Sequence, residues 1–304
     1  MAISRSQLVK ELEPGLNALF GLEYKRYENQ HAEIYTNENS DRAFEEEVML
    51  SGFGNAQVKG EGAGVSFDDA QETYTARYTH ETVALAFAIT EEAIEDNLYD
   101  RLSARYTKAL ARSMSNAKQV KAIEPLINGL PSTATFKSGD GVALFSTSHT
   151  TVSGPNVANT LATQADLNET SLEQSMIDIA KMTDERGLRI AARGLKMIIP
   201  SELQFTAERL MKSQGRTGTA DNDINAIVSM GMVPQGYRVN NYLTDSDAFY
   251  ILTDIPNGMK MFTRAPLTTA MEGDFDTGNV RYKARERYSF GVSDPRGIFG
   301  VEGA

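Results

Sequence analysis

Apolar residues recur along this chain with two distinct periods. From about Thr90, Ile94, Leu98 and Leu102 return every four residues, and the stripe continues through Tyr106, Ala109, Leu110, Met114, Ala117 and Val120. That spacing is one face of a helix. Thr90 is placed to cap it, with Glu91 and Glu92 in a first turn that favours acids. The predicted helix covers about 90–123, and at 1.5 Å per residue it is a rod of roughly 45 Å. A period of two marks Glu72–Thr79, with Tyr74, Ala76 and Tyr78 on one face and Thr73, Thr75 and Arg77 on the other. Before it lies a loop punctuated by Gly52, Gly54, Gly60, Gly62 and Gly64. Together these predict a long hairpin from Phe44 to about Ala86, whose tip a ten-residue strand would carry roughly 30 Å from its base. Val83–Ile89 is an unbroken apolar run, the pattern of a buried strand. Val280–Val292 alternates cleanly as another long strand.

The remaining patterning is weaker. In residues 1–44, Leu8, Val9 and Leu12 form a short helical stripe that Pro14-Gly15 should end, and Leu16, Leu19 and Phe20 resume it. Such a segment has no core of its own and is expected to lie along another part of the fold. Leu130 to about Ala165 is loop-rich. A second amphipathic helix is predicted near Ser171–Glu185 on Leu172, Met176, Ile179 and Met182. A buried strand should run from Leu195 to Pro200, a helix over Glu202–Met211, and strands over Tyr237–Leu243 and Phe249–Leu252. The mixture is α+β, and no fixed-period repeat is present.

A chain of 304 residues is long enough to bury roughly 75% of its unfolded surface. It contains no cysteine, which removes disulfides and thiolate chemistry. No apolar run approaches the ~20 residues of a membrane span, and the first ten residues lack the apolar core of a signal peptide, so synthesis in the cytoplasm is expected. Asn168-Glu-Thr170 then reads as a polar turn rather than a glycosylation site. The net charge of −11, from 30 basic and 41 acidic side chains, argues against tight nucleic-acid binding, which needs a basic excess. It suits a wall that does not adhere to packed nucleic acid.

Catalytic motifs are missing. His31, His80 and His149 stand in no metal spacing. His149 has hydroxyl neighbours in Leu144-Phe-Ser-Thr-Ser-His149, yet reads better as a turn histidine bonded to backbone. Gly215-Arg-Thr-Gly-Thr219 lacks the lysine of a phosphate loop, and Asp221-Asn-Asp223 lacks the glycine and distal glutamate of a calcium loop. The crowded Glu91, Glu92, Glu95 and Asp96 suit a helix start. No cofactor or metal is expected.

Two unsatisfied features point instead to assembly. A two-stranded hairpin is marginal in water and wants a further partner, for which another copy of the chain is the natural candidate. Arg281, Lys283, Arg285 and Arg287 share one face of the C-terminal strand, opposite Val280, Tyr282 and Ala284. This basic row is expected to meet acidic groups of a neighbouring copy's hairpin, namely Glu61, Asp68 and Asp69, with Lys59 and Phe67 beside them in the same interface.

Taken in order, Phe53-Gly…Lys59-Gly-Glu-Gly, Tyr78-Thr-His80, Ile89-Thr-Glu-Glu-Ala…Glu95-Asp-Asn-Leu-Tyr99, Leu144-Phe-Ser-Thr-Ser-His149 and Tyr282-Lys-Ala-Arg-Glu-Arg-Tyr-Ser-Phe-Gly-Val resemble the major capsid proteins of tailed phages, the Hong Kong 97 (HK97-like) type. The likeness is greatest to the Mu-like major head subunits. It spans nearly the whole chain, through loose motifs in a consistent order. It implies an HK97-like capsid fold with an N-terminal arm (1–44), an E-loop hairpin (45–85), a peripheral domain on the spine helix (86–187), an axial domain (188–265) and a return to the peripheral domain (266–304). It also implies hexamers and pentamers in an icosahedral shell around double-stranded DNA, assembled in the host cytoplasm, with a portal at one vertex and room for a decoration protein. Many relatives carry a cleaved N-terminal scaffolding segment. Here the hairpin starts near residue 45, so a separate scaffolding protein is expected. A covalent crosslink through Lys59 does not follow, since only some relatives make one. An encapsulin-type nanocompartment uses the same fold and is the nearest alternative. A cytosolic enzyme is a more distant one.

Overall fold

The computed structural model describes residues 5–90, 92, 99–215, 223–274 and 278–304. The predicted spine is helix α2, Tyr99–Ile127. It runs one turn beyond the expected end near residue 123, and Pro125 is tolerated in its last turn. Its proposed cap at Thr90 and the first-turn Glu91 and Glu92 border or fall among residues outside those described, as do Glu95 and Asp96. The same holds for most of the Gly215–Thr219 and Asp221–Asp223 motifs.

The N-terminal segment departs from expectation. Helix α1 is continuous from Arg5 to Arg26 and carries Pro14 within it. Pro14 costs α1 one backbone hydrogen bond, and tertiary packing outweighs that loss. Leu16 and Phe20 are buried against Leu110, Ala111 and Met114 of α2 and against Tyr282 and Ala284. As anticipated, the arm lies along another element.

Among the described residues three sheets complete the framework. Strands β2 (Phe44–Leu50) and β3 (Glu72–Thr79) pair only with each other, antiparallel, as the hairpin. Tyr74, Ala76 and Tyr78 face inward as predicted. The chain then leaves the hairpin at His80 and enters β4 (Glu81–Ile89), which belongs to a different sheet. That sheet has the order β1-β8-β9-β4, where β1 is Thr36–Asn39, β8 Met259–Gly273 and β9 Val280–Val292. The 15-residue β8 has no counterpart in the sequence reading, because Pro266 and mixed polarity hide its period. The apolar run Val83–Ile89 is not a buried strand. It forms the sheet edge, with Leu85 46% exposed and Ala84, Ala86 and Ala88 in the open. Val83 and Phe87 turn toward the helices and Tyr282, and Ile89 is buried at the strand's end.

The last sheet, β10-β7-β5-β6, comprises Ile298–Val301, Phe249–Thr253, Gly194–Ile199 and Tyr237–Val239. The final strand stops well short of the expected Leu243. Against this sheet packs α3, Glu169–Lys181, through Leu172, Met176 and Ile179. Its start is the former sequon. Asn168 Oδ1 accepts from the Ser171 amide at 2.9 Å, and Ser171 Oγ accepts from the Asn168 amide at 3.0 Å, a capping box that satisfies two otherwise free donors. Short helices α4 (Gln204–Lys212) and α5 (Ala226–Met230) close that core with Ala207, Leu210 and Ile227.

Candidate assembly interface

The hairpin is seated on its own chain at the root, touches it again where Asp69 meets Arg186, and is open along its outer face. Tyr78 is buried, its ring edge-on to Phe262 at 4.8 Å between centroids, and its hydroxyl lies 2.5 Å from Ser293 Oγ. Gly291 makes room for it, since a Cβ there would lie 2.6 Å from the ring. Ser293 also donates to the Glu47 carboxylate. Glu47 and Glu38 share the buried ammonium of Lys260, at 2.5 and 3.1 Å. Burial works to lower the Lys260 pKa, but these two carboxylates prevail and hold it above the usual value. His80 lies within 2.9 Å of both Ser40 and Ser289 hydroxyls. This seat escaped the sequence reading because it joins four segments distant in the chain.

Beyond the seat the hairpin presents apolar surface to solvent. Phe44, Val48 and Leu50 share the outer face of β2, and Phe53, Val58, Val65 and Phe67 continue it into the tip, where Phe67 is 97% exposed. Lys59, Glu61, Asp68 and Asp69 are exposed there too. Asp68 accepts from the Gly54 amide at 2.6 Å, which holds its pKa below the ordinary carboxylate value. The Asp69 carbonyl accepts from the Arg186 guanidinium.

The predicted basic row is real but not uniform. Arg281, Lys283 and Arg285 are exposed on the face of β9 turned away from α1 and α2, while Arg287 is half-buried and its Nε has no partner. Arg281 pairs with Asp274. Lys283 and Arg285 form no ion pair among the described residues. Within one chain the row does not meet Glu61, Asp68 or Asp69. Glu286, between Arg285 and Arg287, turns inward to Lys118 Nζ at 3.2 Å. Burial raises its pKa against the pull of that lysine.

The histidine of Leu144–His149 has a structural environment. His149 Nδ1 lies 2.6 Å from Asp140 Oδ2, and its Nε2 faces the Leu144 carbonyl and Asn159 Oδ1 at 3.2 and 3.1 Å. Burial raises the Asp140 pKa, but hydrogen bonds from His149, Ser138 and the Val142 amide outweigh it and hold it low. Ser138 bonds to Asp140 rather than to the imidazole, so no hydroxyl here is activated by the histidine in the manner of a triad. Among the described residues no three potential ligands cluster to hold a metal, and no helix is long and apolar enough to cross a membrane.

A family model described as phage capsid protein matches residues 72–301. The chain belongs to the phage capsid protein family. Solved capsid structures share its fold at low identity. The capsid of an empty GTA particle matches with a TM-score of 0.57 at 14% identity, covering 90% of this chain and 89% of that one. Mycobacterium phage Che8 matches with 0.52 at 16% identity, covering 91% and 93%. A virus-like particle from Pyrococcus furiosus matches with 0.51 at 11% identity, covering 94% and 98%. No curated protein matches the sequence. The fold is the HK97-like capsid fold, and this is a major capsid protein, a structural component of a shell.

Proposed function

We propose that this capsid protein assembles as hexamers and pentamers into an icosahedral shell around double-stranded DNA. Assembly would proceed in the host cytoplasm with a separate scaffolding protein and a portal at one vertex, and the chain would group with the Mu-like head subunits. A decoration protein could be added to the finished shell. In this proposal 1–44 is the arm, 45–85 the E-loop, 86–187 and 266–304 the peripheral domain, and 188–265 the axial domain, with β8 running across the last boundary. The observation that carries it is complementarity left unused within one chain. The hairpin offers an acidic, apolar tip, and the face of β9 offers Lys283 and Arg285 with no acidic partner among the described residues. Many modest contacts of this kind, closed into a shell, become collectively hard to reverse. The acidic net charge of −11 favours DNA that is enclosed without sequence-specific contacts.

Negative-stain microscopy and sedimentation of the purified chain, with and without its scaffolding protein, test the reading. Closed shells or six- and five-fold rings are expected. A monodisperse monomer under both conditions would overturn it. Lys283→Glu with Arg285→Glu should abolish shells while leaving the subunit's unfolding midpoint unchanged, because exposed positions cost at most about 0.5 kcal/mol. Arg287 is spared because it is half-buried. Normal shells from that variant would remove the basic row from the interface. The likeness to a virus-like particle chain keeps an encapsulin-type compartment as the second reading, and nuclease-protected DNA within heads from infected cells would exclude it.

A further inference from the structure

The two edges of the sheet β1-β8-β9-β4 are built differently. The β1 edge is four residues long and polar, Thr-Asn-Glu-Asn. The β4 edge is nine residues long and largely apolar, with no lysine, no proline and no bulge in its pairing to β9. Those are the devices that blunt an edge against pairing with other chains, and β4 has none. Among the described residues no strand occupies its outer edge.

The register explains what such an edge would select. On the open face Ala84 lies opposite Arg285, Ala86 opposite Lys283 and Ala88 opposite Arg281. Alanine leaves the space above β4 empty. The long stems of Lys283 and Arg285 can therefore lie across it and deliver their charge to the edge, one strand away at about 4.8 Å. A strand added there would meet cations without carrying any itself.

The same chain contains an unpaired segment of matching chemistry. Residues 64–71, Gly-Val-Ser-Phe-Asp-Asp-Ala-Gln, are exposed; no backbone–backbone hydrogen bond joins 64–70 to the opposite arm of the hairpin tip, which is tied to it through the Gly54 amide and the Asp68 carboxylate. In an extended strand Val65, Phe67 and Asp69 share one face, and Ser66 and Asp68 share the other, where Asp68 supplies the acid.

We propose that residues 64–71 of a second copy add as a strand to the free edge of β4, with Asp68 meeting Lys283 and Arg285 across the alanine row. This rests on the shell reading and deepens it. The contact between copies is a continued β-sheet, with main-chain hydrogen bonds supplying much of the affinity and the charges fixing partner and register. The apolar exposure of Leu85, Val65 and Phe67 is the surface this strand would cover.

The natural absence of cysteine allows a clean test. Ala86→Cys is combined in turn with cysteine at each position from 64 to 70, and assembled particles are oxidised. A ladder of covalent oligomers is expected for alternate positions only, the period-two signature of strand pairing, with none from single-cysteine controls. Hydrogen exchange on the unmodified chain gives an independent measure, in which β4 amides that exchange fast in free subunits become protected in shells. Shells that form normally, yet show neither an alternating ladder nor new protection in β4, overturn the strand addition and leave the shell reading standing. Failure to form any particle overturns the shell reading itself.

Discussion

The two four-stranded sheets are built from similar residues and used in opposite ways. In β10-β7-β5-β6, both faces are covered within the chain, and Phe249, Tyr250, Ile251, Phe299 and Val301 are inaccessible. In β1-β8-β9-β4, α1 and α2 cover one face, the hairpin root covers part of the other, and the rest of that second face carries alanines, threonines and a basic row to solvent. The first sheet spends its apolar surface on the stability of the subunit. The second holds part of its surface back. The lesson is that an unbroken apolar run does not by itself mean burial within one chain. Phe249–Thr253 and Val83–Ile89 look alike in sequence, and only the first is enclosed.

Substitutions should separate these uses. Phe249→Ala, in the closed sheet, should cost about 3–5 kcal/mol through lost burial and a residual cavity, seen as a lowered midpoint in denaturant. A loss below 1 kcal/mol would mean that the sheet is not the core of subunit stability. Gly291→Ala acts where the open sheet meets the hairpin. Its Cβ would displace Tyr78 from its seat, at about 1–3 kcal/mol, and limited proteolysis should cut residues 51–71 faster. Unchanged cleavage would show that the hairpin is not held by that seat.

The third test uses pH. His31 packs edge-on against Phe290 of the open sheet. Burial, reinforced by Lys118 and opposed by Gln119, lowers its pKa from 6.5 to about 4. The unfolded chain therefore takes up the proton first, so His31 contributes stability that is present above pH 6.5 and lost as pH falls toward about 4. His31→Leu should flatten that part of the stability profile of soluble subunits. A slope identical to the parent's would assign the acid sensitivity elsewhere. The smallest effect on the subunit is expected from Leu85→Ser on the open edge, within about 0.5 kcal/mol of the parent. If the edge is a contact between copies, that same change should raise the protein concentration needed for assembly. A large loss of subunit stability instead would show that β4 is already enclosed.

Much of the fold was legible because its signal is local. The apolar stripe continuing through Leu110 and Met114 announced α2, although Tyr106, Ala109 and Val120 of that stripe are exposed, and the alternation of Tyr74, Ala76 and Tyr78 announced the hairpin's inner face. The spacing of Arg281, Lys283 and Arg285 likewise placed the candidate site on one side of β9. Each of these depends on neighbours a few residues apart, whose geometry the backbone period dictates. The continuity of α1 through Pro14, the strand character of β8 through Pro266 and the seat of Tyr78 over Gly291 beside Ser293 were not legible. In each case partners far away in the chain outweigh or redirect a local preference. Burial follows the same division: the pattern of Val83–Ile89 establishes an apolar strand, but which of its sides is covered depends on where β9, α1 and α2 come to lie around it.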